Sequence, residues 1–202
     1  MNRLFIALCF MFVSAVAQAQ ELAADALVKG ITEEVLTTLR QGREQGGTRR
    51  VADLVESKVL PHFDFARMTQ LALAVNWRRA SPDQQKALTQ EFKTLLVRTY
   101  STALSSYRDQ SVEFKPLRAR PEETEVTVRT EIKQKAGQPI PIDYEMEKTP
   151  AGWKVFDVKV AGVSLITTYK DDFASQIRES GVDGLIKTLA NKNRQNDNKG
   201  KS

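Results

Sequence analysis

Apolar residues recur at four-residue spacing at Leu27, Ile31, Val35 and Leu39, the rhythm of one helical face. The Gly-rich stretch from Gln41 to Gly47 ends that helix. Val51, Leu54, Val55 and Val59 predict a second amphipathic helix, stopped by Pro61, which cannot continue a helical ladder. Asp64 is placed to cap a third, carrying Phe65, Met68, Leu71 and Ala72. Ser81-Pro82-Asp83-Gln84 is a strong start signal: Ser caps, Pro takes the first helical position, and Gln84 closes a capping box. The helix it opens extends to about Arg108, near 40 Å at ~1.5 Å per residue. Its two apolar rows, Leu88/Phe92/Leu95 and Leu96/Tyr100/Leu104/Tyr107, predict burial on more than one side.

The period then changes to two. Val126, Val128, Thr130 and Ile132 alternate with polar residues, and Ile140, Ile142, Tyr144 and Met146 do so after Ala136-Gly137. Trp153 to Val160 follows a Pro150-Ala151-Gly152 turn, and Val112 to Leu117 is a weaker first strand. Short connections and one apolar face per strand predict an antiparallel meander, covered on one side. Past Gly162, the residues Leu165, Tyr169, Phe173 and Ile177 rebuild a helix that Gly181 can end, and a short last helix carries Leu185, Ile186 and Leu189. Helices, strands, then helices without an internal repeat define one α+β domain over 20–190, with a flexible polar tail over 191–202.

The N-terminus belongs to no layer of that domain. Met1-Asn2-Arg3 is positive, Leu4 to Val16 is almost wholly apolar, and Ala17-Gln18-Ala19 is a small-x-small site. This predicts a cleaved secretory signal peptide over 1–19; the apolar run is too short for a transmembrane helix, which needs about 20 residues. Removing it takes away Arg3 and the single Cys9, so the net charge falls from +5 to +4 and no thiol remains. An exported chain without Cys has neither a disulfide framework nor a Cys-based zinc site, and one His excludes multi-His metal centres. No metal and no cofactor are expected.

Enzyme signatures are mostly missing. There is no GxxxxGK[ST] and no GxGxxG. Gly162-Val163-Ser164-Leu165-Ile166 misses a nucleophile elbow at its last position and reads better as a turn, with Ser164 capping the following helix. His62, beside Asp64, lacks an evident nucleophile partner and reads as a hydrogen-bonded structural residue. Asp171-Asp172 and Glu122-Glu123 read as solvated surface, and so do Arg78-Arg79 and the basic tail, with export arguing against a nucleic-acid partner. The chain is expected not to be an enzyme.

A helix that is apolar on two rows, beside a sheet with one apolar face, fits either a packed core or helices and sheet enclosing an apolar pocket. A resemblance favours the pocket. Val59-Leu60-Pro61-His62-Phe63-Asp64-Phe65-Ala66-Arg67-Met68 resembles the signature of the MlaC family, the toluene-tolerance or organic-solvent-resistance periplasmic proteins. Asn76-Trp77-Arg78, Phe92 to Tyr100, Pro139 to Tyr144, Gly152 to Val158, Gly162 to Leu165 and Gly181 to Ile186 resemble it in the same order. Ala74 departs from the pattern, where Gly is expected.

The resemblance implies a twisted antiparallel sheet, partly NTF2-like, wrapped by helices around an acyl-chain cavity. It also implies a periplasmic phospholipid shuttle that maintains outer-membrane lipid asymmetry. Its partners would be a diacyl phospholipid, an outer-membrane lipoprotein complex and an inner-membrane ABC transporter containing an MCE-domain protein; the carrier itself is expected to be a monomer. From the apolar faces, the expected pocket residues are Met68, Leu71, Leu96, Tyr100, Leu104, Val128, Ile142, Tyr144, Phe156 and Leu165, with Met68 and Leu71 on a movable flap. Arg67, Arg98 and Lys170 are candidates for contact with the anionic headgroup or with partners. A secreted lipid hydrolase and a chaperone-like periplasmic module are the alternatives.

Overall fold

The structure, a computed structural model, describes residues 23–42, 53–105, 111–120, 122–134 and 137–199, without the side chains of 42, 101–105 and 197–199. Residues 1–19, read from the sequence as a signal peptide, Tyr107, the side chain of Leu104 and residues 200–202 lie outside the described residues.

Strand pairing follows the alternation in the sequence. β1 (Ser111–Phe114), β2 (Glu125–Lys133), β3 (Ile140–Thr149), β4 (Gly152–Val160) and β5 (Val163–Ser164) form one antiparallel sheet in chain order. Val128 lies opposite Tyr144, Thr130 opposite Ile142, and Met146 opposite Val155 past an irregularity at Glu145/Met146. The apolar residues thus share one face, while Glu113, Lys115, Glu131 and Lys133 make a ladder of ion pairs on strands β1 and β2 and the residue after β1. Such exposed pairs contribute little stability each.

The helix α1 (Ala24–Gly42) packs on the apolar face, burying Ala24 and Val28 in a cluster with Val126, Val128, Ile142, Met146, Val155 and Val158. A second cluster is helical. It joins α2 (Phe65–Leu73), α3 (Pro82–Ser105) and α4 (Leu165–Lys199) around Met68, Leu88, Phe92, Leu95, Phe173, Leu185 and Leu189. Phe92 packs edge-on against Tyr169 and Phe173 at 5.1 and 5.2 Å between ring centroids. Phe63 touches both clusters.

The local start signals act as expected. Asp64 Oδ1 accepts from Arg67 N at 2.8 Å at the start of α2. Ser81 and Gln84 form the reciprocal capping box of α3, at 2.9 and 3.2 Å. Ser164 Oγ accepts from Thr167 N at 3.0 Å, capping α4, and donates to Asp157 Oδ2 at 2.6 Å. α4 bends at Gly181, whose φ of 72° and ψ of −179° suit glycine alone. Two elements differ from the sequence reading. The second helix is present over its described part, α-helical at 53–54 and then irregular, with a π-helical turn Val55–Val59 followed by a 3-10 turn Leu60–His62 that carries it past Pro61. The last helix continues to Lys199, through the segment read as tail: Asn193 is 3% exposed and its amide donates to Glu91 on α3, which anchors the extra turns.

Candidate functional site

Between α1 and the apolar face of the sheet lies a cavity of about 180 Å³. α1 supplies one wall with Leu27, Ile31, Val35 and Leu39, the stripe whose spacing predicts the helix, joined by Val28, Thr32 and Leu36. The facing wall is Val112, Thr130, Ile132, Tyr144, Met146 and Val155, and the third is Val59, His62 and Phe63. The stripe that makes α1 amphipathic is therefore not fully used up in packing.

The polar residues in this wall are few: Thr32, Thr130, Tyr144 and His62. Thr130 Oγ1 donates to Ile142 O at 3.1 Å and bonds the Tyr144 hydroxyl, whose pKa is raised by burial. His62 is held at the free edge of β4. Phe63 bridges Val155 there, and Asp64 N donates to Val155 O at 2.9 Å. Lys154 reaches the same point and donates from Nζ to Pro61 O at 2.6 Å. The His62 pKa is lowered, first by burial and second by the Lys154 charge. No hydrogen bond to the imidazole is found among the described residues, so the structural bonding expected for His62 is not what holds it.

The expected site residues fall into three places. Tyr144 is on the cavity wall; Val128, Ile142 and Leu165 belong to the same sheet cluster without lining the cavity. Met68 and Leu96, 1% and 4% exposed, lie in the helical cluster, where Tyr100 is hydrogen-bonded to Tyr169. Leu71 is an exposed residue of α2, and Phe156 lies beneath the Arg67 guanidinium, 3.8 Å from its ring centroid. The structure thus separates the α3 row from the sheet face with which sequence reasoning pairs it, because α1 covers that face. Arg67 is also engaged by Glu147 and by Glu125 at 2.7 Å, tying α2 to β2 and β3. Arg98 donates to the carbonyl of Asn193, and Lys170 is exposed on α4.

The arrangement offers an apolar guest a wall. Ser164 and Asp157 serve the cap of α4. Among the described residues no group of three His, Cys, Asp or Glu side chains is placed to hold a metal. None of the described helices is long and apolar enough to cross a membrane.

An open antiparallel meander, one face roofed by a helix over an apolar hollow and flanked by a helical bundle, defines a small α+β protein with a largely apolar cavity beneath one helix. The family model described as MlaC protein matches residues 29–191, and the chain belongs to that family. It is 28% identical over 166 residues to the toluene tolerance protein ttg2D of Pseudomonas putida, covering 81% of this chain and 76% of that protein. It is 24% identical over 136 residues to the intermembrane phospholipid transport system binding protein MlaC of Haemophilus influenzae, covering 66% and 64%. Among solved structures it is similar to the phospholipid-binding protein of Ralstonia solanacearum in complex with a phospholipid. That similarity has a TM-score of 0.79 and 40% identity, covering 87% of this chain and 99% of that one.

Proposed function

We propose that this protein is a periplasmic phospholipid carrier that takes lipid at one membrane complex and releases it at another, without catalysing a reaction. Its partners on this reading are an outer-membrane lipoprotein complex and an inner-membrane ABC transporter with an MCE-domain protein. The observation that carries the reading is the apolar cavity beneath α1, in a fold shared at 40% identity with a protein solved around a phospholipid.

Transfer energies explain why such a carrier is needed. Each acyl CH₂ moved into water costs about 0.8 kcal/mol, so one chain of ~15 such groups costs about 12 kcal/mol. A cavity that replaces bilayer contacts at similar energy removes that barrier, while the phosphate stays near water. The hollow of about 180 Å³ is only a little larger than a cavity that takes benzene, far short of two acyl chains. Lipid entry therefore requires α1 to ride outward from the sheet, widening the space between Ile31 and Tyr144.

The test is mass spectrometry of a solvent extract of the purified protein, with phospholipid at a defined ratio as the expected result. An extract free of phospholipid, from protein purified without detergent, overturns the proposal. The hydrolase alternative predicts lysolipid or free fatty acid instead, and the chaperone alternative predicts no lipid at all.

A further inference from the structure

We infer that His62 and Lys154 form the receiving site for the phosphodiester of the bound lipid, at the rim of the cavity along the free edge of β4. The inference deepens the lipid-binding proposal and rests on it.

His62 is the one imidazole among the residues lining a largely apolar hollow, and neither of its nitrogens has a hydrogen-bond partner among the described residues. The ring is half-buried and its nitrogens are not sealed from solvent, so a ligand at the rim can reach them. Lys154 stands beside it with the complementary chemistry. Its ammonium donates to the carbonyl of Pro61, the residue before His62, and makes no ion pair among the described residues. The carboxylate opposite Lys154 in the sheet register is Glu147, which Arg67 engages. One uncompensated cation and one free N–H donor therefore meet where the apolar wall ends.

An ammonium and an imidazole N–H presented together match the oxygens of a phosphate ester, which accept charge-assisted hydrogen bonds. With the acyl chains lying between α1 and Tyr144, the headgroup leaves the hollow at its edge, and the Pro61–Asp64 segment is the part of that edge fastened to β4. Lys154 is aligned by its bond to Pro61 before any lipid arrives, so little ordering remains to be done on binding. The lowered His62 pKa keeps the ring neutral near pH 7, as donor on one nitrogen and acceptor on the other.

The experiment uses the delipidated full mature chain and three probes: dioleoylphosphatidylglycerol, dioleoylglycerol, which lacks the phosphate, and inorganic phosphate. Affinities are measured for the unsubstituted protein and for His62→Ala, His62→Gln and Lys154→Met. Both His62→Ala and Lys154→Met are expected to weaken phosphatidylglycerol about tenfold and dioleoylglycerol less than twofold, with His62→Gln retaining most of the affinity through its amide donor. Because the chain has a single His, its ring resonances in NMR are unambiguous, and phosphatidylglycerol should shift them where dioleoylglycerol does not. Equal losses for both lipids would assign these side chains to the shape of the wall and overturn the inference, as would unchanged phosphatidylglycerol affinity in both variants. A ring shift with inorganic phosphate at the same concentration as lipid would reassign the site to free phosphate. If the unsubstituted protein binds neither lipid, the carrier proposal itself falls.

Discussion

Ala74 turns the chain out of α2 with φ of 49° and ψ of −123°, a backbone conformation in which a Cβ is crowded. This is the position at which family resemblance calls for Gly, and the dihedral angles supply the physical reason. Ala74→Gly is expected to stabilise the fold by about 1 kcal/mol, the relief of strain exceeding the added freedom of the unfolded chain. Thermal unfolding should show a Tm higher by about 2–4 °C; a lower Tm refutes the account. Asp64→Ala removes the cap of α2 and should cost about 1 kcal/mol, read as a shifted denaturant midpoint at unchanged slope. For His62, burial and then Lys154 hold the folded-state pKa below the ordinary 6.5. The unfolded chain therefore binds the proton more readily. The stability the neutral ring contributes is complete above pH 6.5 and is lost as pH falls through and below it. Replacing His62 with Gln should flatten the acid side of a Tm-against-pH curve, whereas an unchanged slope would locate the acid sensitivity elsewhere.

At the scale of elements, α1 is the working part of the hollow, and Ile31→Glu tests it. A carboxylate on that stripe should cut co-purified phospholipid several-fold, because charge faces the acyl chains, while far-UV circular dichroism stays unchanged. Most elements were legible beforehand because their signals are local. The Asp64, Ser81–Gln84 and Ser164 caps sit where their sequence patterns place them, and the alternations at 126–132 and 140–146 give the strands and their apolar face. The partnership of the cavity walls was not legible. Amphipathic stripes on α1 and on α3 are equally apolar, and periodicity alone says that each stripe is covered without saying by what. The structure resolves this by giving α1 to the sheet and sending Leu88, Phe92 and Leu95 against α4, so Tyr144 joins the wall while Leu96 does not. His62 reads from the sequence as a hydrogen-bonded structural residue; that its imidazole has no bond among the described residues is a tertiary fact that no spacing encodes.

The whole molecule combines a solid core with a hollow one, and cargo should act on the two unequally. Bound lipid stabilises by mass action, about 2.7 kcal/mol at a hundredfold excess over Kd, so delipidation is expected to lower Tm by about 5–10 °C. Hydrogen exchange should localise the effect: amides of α1 gain protection when lipid is present, and those around Phe92 and Phe173 change little. Uniform protection across both clusters would contradict this division. The meander order of the sheet bears on how the chain arrives at this state. Each strand pairs with the one just before it, β1 with β2 across the longer stretch 115–124 and the rest across short connections, so loop closure costs little entropy and the sheet can zip from end to end. Docking α4 onto α3 spans a far longer loop and should come last, which leaves the helical half as the slow, chaperone-sensitive stage of maturation.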